Sequence, residues 1–83
     1  ISRTITFADA SIKTLGVMLP GEYEFNTEKK ELMEIYTGEL AVHINDDGAW
    51  EKIEGGMSFS VPAKSKFNIK IYKITNYCCS YFE

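Results

Sequence analysis

The sequence predicts an all-β chain, a small antiparallel sandwich or barrel of about eight or nine short strands. Three observations predict it. Apolar and polar residues alternate with a period of two, most clearly where Tyr23, Phe25 and Thr27 face one way and Glu22, Glu24 and Asn26 the other. Turn signals fall at short intervals, at Pro20-Gly21, Asn45 to Gly48, and Gly55-Gly56. No segment carries a helical period: Glu28 to Met33 has some helical propensity but is short and lies between two alternating runs.

Each element follows from that period. Ile1 to Phe7 reads as a strand, with Ile5 and Phe7 opposed to Thr4 and Thr6, and Asp9, Ala10 and Ser11 make a turn. Lys13 to Leu19 is the next strand, with Leu15, Val17 and Leu19 on one side. The Gly21 strand follows, then a charged connection from Glu28, then a strand from Glu31 ending in a turn at Gly38. Leu40, Val42 and Ile44 alternate again, and Asn45-Asp46-Asp47-Gly48 is a hairpin signal because these residues accept positive φ. Trp50 to Ile53 pairs back, and Met57, Phe59 and Val61 alternate with Ser58 and Ser60. After a loop at Pro62 to Ser65, Phe67, Ile69 and Ile71 form one strand and Tyr77, Cys79 and Tyr81 the last.

Eighty-three residues make one domain, residues 1–83, with a small core. A homodimer sharing a sheet face would relieve that marginal stability. The net charge of −3 argues against a nucleic-acid platform, which needs a basic stripe. No apolar run is long enough to span a membrane, and no secretory signal is visible, so a cytoplasmic protein is expected. Cys78 and Cys79 are adjacent and point to opposite faces of a strand, which reads as a reduced pair and not as a redox motif.

Two spacings then carry a resemblance. Glu31, six residues and Gly38 resemble the first motif of the cupin superfamily, and Gly56, five residues and Pro62 resemble the second. Within that superfamily an ordered series is similar to one group: Gly16-Val17-Met18, Gly21-Glu22-Tyr23 with Phe25 and Thr27, Met33, Gly38, Trp50, Gly56 with Phe59, Val61 and Pro62, Ser65 with Phe67, and the closing Tyr77-x-Cys79-x-Tyr81. This series resembles the pyrimidine/purine nucleoside phosphorylase family from Val17 onward. The resemblance selects a single small cupin-type jelly-roll barrel, and it implies a further strand ahead of Ile1.

It also implies phosphate-dependent cleavage of purine and pyrimidine nucleosides to a free base and ribose 1-phosphate, a pentosyltransferase reaction with inorganic phosphate as co-substrate and no cofactor. The alternative is a non-enzymatic cupin acting as a small-molecule sensor or assembly module, since a fold by itself does not settle function. The histidine positions of metal-binding cupins fall here on Thr27, Lys29 and Phe67, with only the glutamate kept, as Glu31. One carboxylate without imidazole partners is a poor metal site, so no bound metal is expected. His43, opposite the Leu40-Val42-Ile44 side, reads as a surface residue.

Without a metal, the expected mouth is lined by Tyr23, Phe25, Thr27, Glu31, Met33, Phe59 and Phe67, an aromatic wall suited to a flat base. For Phe25 and Phe59 plain core packing is the preferred reading. Glu31 is the catalytic candidate, placed near the ribose hydroxyls or the oxocarbenium-like centre, although pairing with Lys29 or Lys64 at the rim would also satisfy an inward carboxylate. Tyr23 or Tyr77 would stack on the base or donate to it, and Lys64, Lys66 or Lys29, with Ser65, would hold phosphate. Relatives commonly carry arginine in the closing segment where this chain has Ser80. Glu22 and Glu24 read as a solvated strand face, and Trp50 as packing.

Overall fold

The computed structural model describes residues 2–6, 12–45 and 49–82. Every regular element among them is a strand: β1 (Ser2–Thr6), β2 (Ile12–Met18), β3 (Gly21–Asn26), β4 (Lys30–Ile44), β5 (Glu51–Glu54), β6 (Ser58–Val61) and β7 (Lys66–Phe82). Phe7, the Asp9 turn and the Asp46–Gly48 tip of the expected hairpin lie outside the described residues.

The expected eight or nine short strands are seven among the described residues, because two pairs are fused. The Glu31 and Leu40 runs are one strand, β4, and the Phe67 and Tyr77 runs are one strand, β7. Gly38 does not end its strand. It sits inside β4 at φ 120, where the β4–β7 register shifts. A bulge of this kind bends a strand and re-aims it while pairing continues on both sides.

That bend builds the container. The first half of β7 pairs with β3 and with the second half of β4, for example Phe25 with Phe67 and Leu40 with Ile71. The second half of β7 pairs with β2 and with the first half of β4, for example Leu15 with Cys78 and Met33 with Cys79. β5 and β6 extend the two halves of β4, and β1 extends β2. The two long strands therefore run through one seven-stranded sheet, bent in the jelly-roll manner, and all pairings among the described residues are antiparallel.

The residues inside the container are largely those the alternation turned inward. Leu40, Ile53, Val61 and Ile69 are completely buried, packed with Ile35, Val42, Ile71 and Phe67. β-branched and aromatic side chains fit this pleated, enclosed surface. Two strands depart from the expected dry face: in β2 Met18 is the buried residue while Leu19, on the side of Leu15 and Val17, is exposed, and in β3 Tyr23 and Phe25 remain 36% and 39% exposed. Their strand pairs with β7 along one edge only, so the container is open beside it.

Thr27, just beyond β3, ties that strand to the Pro62–Ser65 loop. Its hydroxyl donates to the Pro62 carbonyl at 2.7 Å and accepts from the Ser65 N–H at 2.9 Å, while its own N–H donates to the Ser65 carbonyl at 2.8 Å. Asn45 ties the same loop through Lys66: its Oδ1 accepts from the Lys66 N–H at 2.9 Å. Thr27→Val preserves shape but leaves the Ser65 N–H without its acceptor. We expect it to destabilise the protein by about 1–3 kcal/mol in urea unfolding.

Candidate active site

Four strands converge on one cavity of about 220 Å³ at the open side of the container. β2 contributes Thr14 and Met18; β3 contributes Phe25 and Asn26; β4 contributes Glu31 and Met33. β7 supplies Phe67 from its first half and Tyr77, Cys79 and Tyr81 from its second. The period of two puts Tyr77, Cys79 and Tyr81 on a single face, and the antiparallel register sets Tyr81 directly beside Glu31. Gly16 lies opposite Tyr77, and a Cβ there would come within 2.5 Å of the phenol ring, so glycine makes the space in which that ring lies.

One wall is apolar and aromatic. Phe25 and Phe67 lie 5.3 Å apart between ring centroids, and Phe59 meets Phe67 edge-on at 6.3 Å from behind. Such rings offer faces to a flat ligand without demanding a particular hydrogen-bond pattern. The facing wall is polar. Cys79 donates its thiol proton to Glu31 Oε1 at 3.3 Å, and Tyr81 Oη lies 3.0 Å from Thr14 Oγ1.

The electrostatics follow from this enclosure. Burial pushes the Glu31 carboxyl above its ordinary value, and the Cys79 hydrogen bond offsets part of that rise. Burial, the Glu31 charge and the hydrogen bond to it push the Cys79 thiol up to about 12. Tyr77 and Tyr81 are raised as well, chiefly by burial. The cup therefore holds one acid among neutral hydroxyl and thiol donors. No lysine or arginine is among the described residues that line it.

Of the residues expected at the site, Glu31, Phe67 and Tyr77 line the cup, as do Phe25 and Met33. Five others stand elsewhere. Tyr23 stacks on Phe25 at 6.2 Å, donates its hydroxyl to the Leu19 carbonyl at 2.8 Å, and borders a separate outer groove with Trp50 and Lys70. The Thr27 hydroxyl is committed to the Pro62–Ser65 loop. Phe59 is buried behind Phe67 as core. Lys64 takes φ 53 at the turn of that loop, and the Ser65 hydroxyl donates to the Ala63 carbonyl at 3.1 Å. Neither is among the cup's lining residues, and the Thr27 hydroxyl holds their loop in place.

Thr14, Met18, Asn26, Cys79 and Tyr81 are lining residues that the sequence reading did not place there. The alternation of the closing motif was a usable signal for Cys79 and Tyr81, since both share the parity of Tyr77. Ser80 has the opposite parity and is not among the cup's lining residues. Trp50 is fixed by packing: His43 stacks on it at 5.2 Å, and Lys70 Nζ lies 4.5 Å over its ring. A wider, shallower groove of about 740 Å³ runs past Lys29, Lys30 and Phe82 on the outside of the container. It lacks the enclosure and the buried acid of the cup. Among the described residues no group of three or more His, Cys, Asp or Glu side chains could hold a metal ion.

The family model described as pyrimidine/purine nucleoside phosphorylase matches residues 1–81. The chain is 59% identical over 80 residues to the pyrimidine/purine nucleoside phosphorylase of Chlorobium chlorochromatii, covering 96% of this chain and 77% of that protein. It is 52% identical over 82 residues to the protein of the same name from Leptospira interrogans, covering 99% and 77%. Among solved structures, a protein of unknown function from Acinetobacter sp. ADP1 superimposes with a TM-score of 0.93 at 40% identity, over 98% of this chain and 79% of that one. The cupin domain of Schizosaccharomyces pombe Cnp3 superimposes with a TM-score of 0.78 at 15% identity, over 99% and 64%, which supports the cupin fold alone.

Proposed function

The chain belongs to the pyrimidine/purine nucleoside phosphorylase family, and on that premise we propose that it cleaves purine and pyrimidine nucleosides with inorganic phosphate, releasing the base and ribose 1-phosphate. The observation that carries the reading to this cup is its division into an aromatic wall and a wall with a single half-buried acid. The base lies against Phe25 and Phe67, where stacking tolerates either a purine or a pyrimidine ring. Glu31 accepts from the ribose hydroxyls and stabilises positive charge that grows at C1′ as the glycosidic bond breaks. A phosphate oxygen takes the place of the base at C1′, and the departing ring nitrogen receives a hydrogen bond from Tyr77 or the Asn26 amide. Asn26, through its amide, is a lining donor available to phosphate.

The same reading makes the reaction metal-independent and cofactor-free, with phosphate as co-substrate. The active form is a homodimer, which would cover apolar surface such as Tyr36, Tyr72 and Ile74, all exposed in the single chain. The acidic chain engages neither nucleic acid nor membrane, and its two unbridged cysteines suit the cytoplasm.

The test is chromatography of inosine, adenosine and uridine incubated with the protein, with and without phosphate and with and without a chelator. Release of base together with ribose 1-phosphate, dependent on phosphate and indifferent to the chelator, is the expected result. Base release without phosphate would make the protein a hydrolase. Nucleoside binding without turnover would favour the sensor reading.

A further inference from the structure

We propose that Thr14, Tyr81 and Cys79 form a one-way hydrogen-bond chain ending on Glu31, in which Cys79 is a positioning residue for the acid of the cup. The proposal rests on the assignment of Glu31 to the reaction. The chain crosses three strands: Thr14 Oγ1 lies 3.0 Å from Tyr81 Oη, Cys79 Sγ lies 3.3 Å from Glu31 Oε1, and the link proposed between them joins Tyr81 to Cys79, neighbours on one face of β7. Its direction follows from proton counting. An ionised carboxylate has nothing to donate, so Cys79 gives its proton to Glu31. The sulfur can then only accept from the Tyr81 hydroxyl, and the Tyr81 oxygen accepts from Thr14.

This arrangement does what a lysine partner would not. A cation would hold the carboxylate tightly and neutralise its field. A thiol is a weak, uncharged donor, so it holds Oε1 and leaves the negative charge of the carboxylate intact. The donor is also permanent. Cys79 is buried, and its thiol does not ionise at any pH where the enzyme would work. The titratable groups facing Glu31 are all on β7, namely Tyr77, Cys79 and Tyr81. The lining residues of β2 and β3 (Thr14, Met18, Phe25 and Asn26) carry no titrating group.

The experiment uses the full chain and two readouts on the same variants. One is the titration of the Glu31 carboxyl by NMR on isotope-labelled protein. The other is the pH dependence of kcat/KM for phosphorolysis. Cys79→Ala removes the donor, so the Glu31 midpoint and the acidic limb of the rate profile both move to higher pH, and kcat falls roughly tenfold. Tyr81→Phe moves both in the same direction by less. Cys79→Ser keeps a donor and holds kcat within about threefold of the parent.

Folded Cys79→Ala protein with both midpoint and limb unmoved would overturn the chain. So would a Cys79→Ser variant as impaired as Cys79→Ala, since then only packing had been lost. A midpoint that moves while the limb stays still would instead overturn the placement of Glu31 in the reaction, and with it the positioning role.

Discussion

Glu31→Gln is expected to lower kcat/KM for phosphorolysis by roughly 100-fold or more, with kcat carrying most of the loss. Glutamine keeps the shape and can still hydrogen-bond. It cannot supply negative charge to a ribose that becomes cationic only in the transition state, and charge placed at that point is worth about 10²–10³ in rate. Steady-state assays across several nucleosides check it, and a variant as fast as the parent would remove Glu31 from the chemistry. The parent should also lose activity as the pH falls through the Glu31 midpoint. Because burial raises that midpoint above 4.5, the limb lies at higher pH than a free glutamate would give, and the variant lacks it.

The same substitution has a stability signature of opposite sign. A carboxyl raised by folding favours its protonated form in the folded state. Its contribution is fully present below the ordinary value of 4.5 and is lost as the pH rises through the raised value. At neutral pH the ionised Glu31 is therefore a burden on the fold. Glu31→Gln is expected to melt at a higher temperature than the parent at neutral pH, with the advantage shrinking once the pH drops below 4.5. Melting curves at the two conditions measure it.

Gly38→Ala is expected to be the most destabilising single methyl in the chain, costing about 3 kcal/mol or more in urea unfolding. Gly38 has φ 120, a region that side chains rarely tolerate. The added Cβ would also lie 2.7 Å from the Thr75 Cα and 2.8 Å from its Cβ, and would strike its hydroxyl. Thr75 is completely buried and its Oγ1 already donates to the Lys73 carbonyl at 2.9 Å, so the contact is with a fixed part of β7. Small domains hold roughly 5–15 kcal/mol in total, so this loss is a large share. By contrast, Gly56 at φ 90 has open space where its Cβ would lie, and alanine there meets backbone strain alone. Comparing the two variants separates the clash from the dihedral.

Most strands were legible because alternation is local. Phe59 and Val61, or Phe67, Ile69 and Ile71, declare a buried face within a handful of residues. The bends were not legible in the same way. A glycine between two alternating runs reads equally as a turn or as a bulge, and only the β7 partner, running past Gly38 without a break, decides for the bulge. Glu31 could be picked out because a charge at an inward position is conspicuous in any strand.

By itself, then, the sequence determined which residues are strand and, outside β2 and β3, which face of the strand is apolar, since both depend on neighbours two positions away. It also determined, through its ordered motifs, the family to which the chain belongs. The tertiary structure alone decided which polar residues share the cup. Thr27, with the right parity, is drawn off to bind the Pro62–Ser65 loop, whereas Thr14 of β2 and Cys79 and Tyr81 of β7 come from separate strands to share the cup with Glu31 of β4. Inter-strand register sets that meeting, and register is a property of pairs of strands far apart in the chain, which no single stretch of residues records.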